Sequence, residues 1–320
     1  MIDSYILSLH YPYELINIVK KLNLNPILID GIKGSKLSFN EIDNNINDDL
    51  FSLINPKSSL GCAMSHLKAW KQFRSNNSKP YALFLEDDAI FEPHFKKDFN
   101  AILKNTPNDF DILYLGCFFC DKEYNNLTLY INNIFGKNKD EIIINDYIKI
   151  PQIVLAAHSY VLSKKGADKL IKLFDNNLYY HIDNMILQEF YKNNLQIYCV
   201  RKRLVYQTSS SCITNSENVS SNHPLLFDYI LDNYEVDKHA SLIYFKNLSI
   251  FRLGDINFNI MSVIFLISGV ILLFFKIDMK VLITFYFLIS ICDIFQLKNI
   301  NLFIINGLFF MLPTLIKNIS

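Results

Sequence analysis

Three adjacent acids, Glu86, Asp87 and Asp88, follow the apolar run Leu83-Phe84-Leu85 and precede a second apolar stretch, residues 89–91. The first run is typical of a buried β-strand, so the acids stand at its carboxyl end. Neighbouring carboxylates repel one another, and Mg²⁺ or Mn²⁺ prefers oxygen ligands of this kind. The cluster is therefore typical of a metal site at a strand end, although a solvated acidic turn fits the pattern equally well.

Three further side chains have types that suit acid–base chemistry or ligand contacts. His66 lies among apolar residues at helical spacing, where a packed helix histidine is the commoner interpretation. Asp183 opens an apolar helical run, so an acid favoured by the helix macrodipole is its alternative. Asp30 ends a short strand, where open α/β sheets contact ligands, although a turn-capping aspartate is commoner.

The elements that must position these residues alternate between strand and helix. Strand Tyr5 to Leu9, a helix with apolar residues at positions 15, 18, 19 and 22, and strand Pro26 to Asp30 predict a β-α-β start. Further strands and helices follow to about Tyr206 in the same alternation. We therefore expect one α/β domain over residues 1–250.

The composition divides the chain in two. The 31 basic and 31 acidic residues balance, which removes the electrostatic argument for nucleic acid as a partner. The stretch from Ile256 to Phe275 has no charge and about the twenty residues needed to cross a bilayer, and Val281 to Phe295 and Ile300 to Ile316 are further candidates. We expect a C-terminal membrane segment at residues 251–320, with one to three transmembrane helices.

The N-terminus has no basic region and no long apolar run of the kind that a signal sequence requires. The domain is therefore expected to be membrane-anchored through its C-terminal helices and to face the cytosol.

Several segments, in this order, resemble motifs of glycosyltransferase family 25, which includes bacterial lipooligosaccharide galactosyltransferases and animal collagen galactosyltransferases. They are Gly61-Cys62-Ala63-Met64-Ser65-His66, Glu86-Asp87-Asp88 and Asp111-Ile-Leu-Tyr-Leu-Gly116, with similar pieces at residues 29–32, 158–167 and 182–183. The similarity spans about residues 4 to 213, and the ordered set is more specific than any one piece.

The resemblance implies a GT-A-like, Rossmann-like nucleotide-sugar-binding fold, a UDP-sugar donor, a Mn²⁺ or Mg²⁺ ion and inversion at the anomeric carbon. It implies Asp88 and Glu86 as metal ligands, and Asp183 and His66 as catalytic residues, with Asp183 removing the acceptor proton. The residues implied in donor binding are Asp30, Gly31, Ser65, Glu86, Asp87 and Gln207. The chain departs from the family at His181, where a proline is usual, and at residues 10–14, where arginines are common.

These features predict a glycosyltransferase that moves a hexose, such as galactose, from a UDP-sugar to a hydroxyl of a glycan or protein. The alternative is a catalytically inactive, transferase-like module that is tethered to the membrane and serves in binding or as a scaffold. The missing arginines favour this alternative. The intact acidic cluster argues against it, because a decayed site has no reason to keep three mutually repelling acids.

Overall fold

A computed structural model describes residues 2–46, 57–76, 79–118, 140–207, 249–253, 256–275, 277–296 and 300–319. Its strands are β1 (Asp3–Ser8), β2 (Asn25–Asp30), β3 (Tyr81–Glu86), β4 (Ala89–Phe91), β5 (Ile112–Phe118), β6 (Ile142–Ile143), β7 (Ile148–Ile150), β8 (Leu155–Ser163), β9 (Ile197–Val200), β10 (Val205–Gln207), β11 (Ser249–Leu253) and β12 (Ile256–Asn259). Its helices are α1 (Tyr13–Lys21), α2 (Phe39–Asp43), α3 (Lys57–Ser75), α4 (Phe95–Asn105), α5 (Lys164–Phe174), α6 (Ile182–Tyr191), α7 (Ile260–Phe274), α8 (Met279–Gln296) and α9 (Ile300–Ile319).

The chain divides into two compact units, one of residues 1–52 with 59–213 and one of residues 53–58 with 214–320. The first unit contains the residues that the sequence singles out for chemistry. That a domain of residues 1–250 folds by itself stays a prediction.

One large mixed sheet forms the frame of the first unit, with strand order β2-β1-β3-β8-β5-β9-β7-β6. Strand β1 runs parallel to β2 and β3, whereas β8 runs antiparallel to both β3 and β5. The carboxyl ends of β1, β2, β3 and β5 therefore share an edge with the amino end of β8. This mixed α/β architecture fits the predicted Rossmann-like domain, and its β-α-β start is confirmed.

A row of aromatic side chains fixes helix α3 against one face of this sheet. Tyr5, Phe84 and Tyr160 are partners in register across β1, β3 and β8, and their rings stack at centroid distances of 5.1 and 5.3 Å. Phe73 of α3 packs edge-on against Phe84, and the Trp70 indole N–H donates to the Tyr160 hydroxyl oxygen at 2.8 Å. These contacts set the position of the residue one turn earlier on α3, His66.

The prediction of a C-terminal membrane anchor is wrong, because no helix among the described residues has the length and apolar character that crossing a bilayer requires. The predicted span from Ile256 to Phe275 begins as strand β12, and α7 has 15 residues. At 1.5 Å per residue, α7 is about 22 Å long, short of the roughly 30 Å of a hydrocarbon core. Helix α8 includes Lys280 and Asp293, and α9 includes Pro313. The predicted membrane-anchored localisation is wrong for the same reason.

Helices α7, α8 and α9 share a small apolar core of their own. Phe265, Leu282, Tyr286 and Phe310 are its buried members. The Phe265 ring lies edge-on to Tyr286 at 5.8 Å and to Phe310 at 6.3 Å. The apolar content that suggested a membrane segment thus partly serves helix packing within the second unit.

Candidate functional site

The three acids lie at the shared edge of the large sheet. Glu86 is the last residue of β3, and Asp87 and Asp88 form the turn into β4. The Ser8 hydroxyl, at the carboxyl end of β1, donates to Asp87 Oδ2 at 2.7 Å. Burial raises the pKa of Asp87, and this hydrogen bond opposes the increase. Strand β10 pairs with β4 so that Gln207 lies opposite Ala89, which brings its amide to the same edge.

Glu86 is the centre of the cluster, with 14% of its side chain exposed. Its Oε1 lies 3.2 Å from His66 Nε2, and its Oε2 accepts from Gln207 Nε2 at 3.4 Å. Burial, together with the negative charges of Asp87 and Asp183, raises the pKa of Glu86 to about 8. Without a bound cation, burial and these neighbouring charges therefore favour the protonated form of Glu86 at neutral pH.

Asp88 is 4% exposed, and neither of its carboxylate oxygens has a hydrogen-bond partner among the described residues. Burial and the charge of Glu86 raise the pKa of Asp88 well above its ordinary value, while the nearby Gln207 amide opposes that increase. Buried polar atoms without partners are costly and call for water or an ion. Two such oxygens beside a second carboxylate fit a hard divalent cation.

His66 is joined to the acids through a chain of buried hydrogen bonds. Its Nδ1 lies 2.9 Å from the Tyr160 hydroxyl oxygen, which accepts from the Trp70 indole N–H. Burial lowers the pKa of His66 to about 4, although the charge of Asp183 acts in the other direction. The ring is therefore neutral. Because the Tyr160 oxygen accepts from Trp70, the Tyr160 hydroxyl can donate its own proton to Nδ1. The ring proton of His66 is then on Nε2, which donates to Glu86 when that carboxyl is ionised. His66 is thus both a packed helix histidine and a contact of the acids.

Asp183, in the first turn of α6, reaches the same cluster from a separate element. Its Oδ2 accepts from the Ala156 backbone N–H at 3.1 Å and its Oδ1 from the Asn184 N–H at 2.8 Å. Its charge raises the pKa of both Glu86 and the buried Tyr114 hydroxyl. Ala156 has a φ of 68°, in the left-handed region that costs a residue with a Cβ about 1–2 kcal/mol. The backbone strain therefore lies at the donor that holds Asp183.

Ser65 connects helix α3 to the loop after β2. Its hydroxyl donates to the Gly61 carbonyl oxygen and accepts from the Ile32 N–H, both at 2.7 Å. A Cβ at Gly61 would lie 2.5 Å from the Ile32 carbonyl oxygen, so the close approach of loop and helix requires glycine there. The Ser65 hydroxyl is thus occupied in positioning the loop.

Asp30 and Gly31 lie in that loop region, next to the end of β1. The Gly31 N–H donates to the Ser8 carbonyl oxygen at 2.7 Å, so the loop adjoins the residue that holds Asp87. Asp30 is exposed, and its backbone carbonyl oxygen accepts from Lys68 of α3 at 2.8 Å. The structure thus brings Gly31 near the acids through the backbone and leaves the Asp30 side chain on the surface.

Four residues of the site were missed from the sequence. Ser8 had a partial signal, because it ends a predicted strand and carboxyl ends of strands are where open α/β sheets contact ligands. Its contact with Asp87 depends on the pairing of β1 with β3, which the sequence does not give. Tyr160 and Trp70 read as ordinary core aromatics, and Ala156 as a strand residue. These three residues contribute to the site through hydrogen bonds between segments that are distant in the sequence.

Comparison with known proteins gives a match to a family of enzymes. The family model described as "Glycosyltransferase family 25 (LPS biosynthesis protein)" matches residues 1–186, more than half of the chain. The "Putative glycosyltransferase R655" of Acanthamoeba polyphaga mimivirus is 38% identical over 48 residues, which is 15% of this chain and 15% of the viral protein. The matched segment therefore spans well under two thirds of that relative.

Solved structures offer a weaker likeness. HddC from Yersinia pseudotuberculosis, in a crystal structure "complexed with GMP-PN", has 13% identity and a TM-score of 0.29, with 57% of this chain and 84% of that chain covered. A second HddC structure has 11% identity and a TM-score of 0.26, with 65% and 93% covered. TM-scores this low do not establish a shared fold.

Proposed function

Because the chain belongs to glycosyltransferase family 25, we propose that it transfers a hexose, such as galactose, from a UDP-sugar to a hydroxyl of a glycan or protein, with inversion and with Mn²⁺ or Mg²⁺. A glycosyltransferase needs a nucleotide-sugar donor and an acceptor, so these two substrates follow in kind from the family. The nucleotide, the sugar, the acceptor, the metal and the residue roles belong to the proposal.

The observation that supports the proposal best is the state of Asp88. Its two buried oxygens have no hydrogen-bond partner among the described residues, and Glu86 and Gln207 lie beside them. An acid in this state is expensive for a domain to keep unless a cation occupies the place. Asp88 and Glu86 would hold that cation, and Glu86 would lose its proton on binding it.

The bound cation would stabilise the negative charge that develops on the leaving nucleoside diphosphate. Asp87, held by Ser8, adds to the negative field at this edge and would help position the cation and the donor. Neutral His66 orients Glu86 through the Nε2 contact. Because burial lowers the pKa of His66 to about 4, the ring is neutral at neutral pH, and we assign it positioning instead of proton transfer.

We assign to Asp183 the removal of the acceptor proton. Two backbone N–H groups fix the direction of its carboxylate, and it lies within electrostatic reach of Glu86 and His66. A base held in one orientation beside the donor site gains from proximity as well as from basicity. The resemblance of Ile182-Asp183 to the family motif supports this role.

The experiment is a donor screen with the full-length chain, in which UDP release is measured for a panel of UDP-sugars. One UDP-sugar should give release that Mn²⁺ increases and a chelator removes, and GDP-sugars serve as the control. If no UDP were released from any UDP-sugar with either metal ion, the proposed reaction would be contradicted. Release that is unchanged by the chelator would contradict the metal.

A further inference from the structure

A second set of metal-binding side chains lies next to the acids. One ligand atom from each of Cys62, His66 and Glu86 lies within 4.8 Å of the other two. Cys62 and His66 are four residues apart on α3 and so share a face of the helix. Glu86 reaches them from β3, with its Oε1 3.2 Å from His66 Nε2. Cys62 carries a thiol and is partly exposed, which leaves a path from solvent.

We propose that Cys62, His66 and Glu86 form a three-ligand site for a borderline-soft divalent cation such as Zn²⁺. A thiolate and an imidazole select Zn²⁺ over Mg²⁺ or Mn²⁺, which prefer oxygen. Three protein ligands leave a fourth tetrahedral position open to water or to a substrate atom. The hard-cation place at Asp88 has no sulfur or nitrogen ligand assigned to it, so the two sites differ in the metal that they take.

The surroundings supply the outer contacts that such a site needs. With Nε2 on the metal, the His66 proton moves to Nδ1, 2.9 Å from the Tyr160 oxygen, and a hydroxyl oxygen can accept it beside the Trp70 donor. Metal-bound histidines usually donate their second N–H in this way. The remaining oxygen of Glu86 keeps its Gln207 contact.

Glu86 belongs both to the proposed Zn²⁺ site and to the proposed hard-cation site at Asp88. Oε1 lies 3.2 Å from His66 Nε2, and Oε2 accepts from the Gln207 amide, which also interacts with Asp88. A cation held by Cys62 and His66 would withdraw Glu86 from Asp88, so Zn²⁺ would antagonise the hard cation. This antagonism rests on the proposed function, whereas the binding itself does not.

The test uses Co²⁺ as a spectroscopic substitute for Zn²⁺ on the metal-free, full-length chain. Wild-type protein should give a near-ultraviolet thiolate-to-Co²⁺ charge-transfer band that Zn²⁺ abolishes by displacement. Cys62→Ser should remove the band, and Cys199→Ala, at a buried thiol of β9, should keep it. Competition with a chromophoric chelator should show at least about tenfold weaker Zn²⁺ binding for Cys62→Ser and for His66→Gln.

Asp88→Asn separates this site from the proposed catalytic one, because it should leave the charge-transfer band in place. The fluorescence of Trp70 confirms that each variant is folded. No band in the wild-type protein, or a band that survives Cys62→Ser, would overturn the site. Failure of the donor screen would leave the Co²⁺ result untouched, since the band requires no transfer activity.

Discussion

The raised pKa of Glu86 makes the stability of the first unit depend on pH in an unusual direction. The carboxyl group of an ordinary glutamate has a pKa of 4.5, whereas the pKa of Glu86 is about 8, so between these values only the folded state keeps the proton. Stability should therefore be highest below about pH 4.5 as far as this group is concerned, and should fall until about pH 8. The loss amounts to about 1.4 kcal/mol of unfolding free energy per pH unit. Because part of the Glu86 side chain is exposed to water, the loss over the whole range is about 3–5 kcal/mol.

Glu86→Gln should remove this loss, so that the variant equals the wild type near pH 4.5 and exceeds it by about 3–5 kcal/mol at pH 8. Urea unfolding in the presence of a chelator measures the difference, followed by Trp70, which is the only tryptophan of the chain and lies in the first unit. Glu14→Gln, at an exposed acid of α1, is the matched control and should follow the wild type. Equal pH dependence in wild type and Glu86→Gln would refute the reasoning.

Four further substitutions, one of them with a matched control, test the other parts of the site. Asp88→Asn should weaken Mn²⁺ and UDP-sugar binding together, as seen by calorimetry, and unchanged Mn²⁺ affinity would contradict its assignment. Asp183→Asn should leave both affinities intact and lower turnover by roughly 10²–10⁴, with a smaller loss for a more acidic acceptor hydroxyl. Tyr160→Phe removes the oxygen between two buried nitrogens and should cost about 1–3 kcal/mol of unfolding free energy for each one left unpaired. Ala156→Gly should raise the free energy of unfolding or leave it unchanged, because the left-handed strain disappears, whereas Ala157→Gly should lower it by about 1 kcal/mol. Equal destabilisation at both alanines would argue against strain at the first.

Local patterns were sufficient to predict the elements that hold the acids. The run before Glu86 is strand β3, and the apolar stripe around His66 is helix α3, because burial of one face imposes a period on the sequence. The end of a strand is also readable, so the acids could be assigned to the edge of a sheet before its order was known.

The contacts that give these residues their chemistry could not be predicted in this way. Ser8 and Asp87 are 79 positions apart, His66 and Tyr160 are 94 apart, and Glu86 and Gln207 are 121 apart. Only the strand order brings such pairs together, and no periodicity encodes that order. The burial of the Asp88 carboxylate beside Glu86 and the φ of Ala156 are likewise properties of the assembled chain.

The C-terminal error has a different origin. Hydropathy counts apolar residues without regard to the backbone that they adopt, so Ile256 and its neighbours were added to a helix although they form β12. A length criterion applied to the sequence alone thus makes helix α7 about one turn too long.

The reversed direction of β8 has a consequence for how an acidic edge can be assembled at all. Parallel strands end in carbonyl oxygens, so an edge made only of their carboxyl ends offers few donors to a carboxylate. By entering the sheet the other way round, β8 contributes a backbone amide at that edge, and Ala156 gives it to Asp183. Transplanting this group of acids onto an all-parallel sheet would need another hydrogen-bond donor for Asp183 Oδ2. A basic side chain in that role would add a positive charge beside the acids, whereas an amide side chain would not.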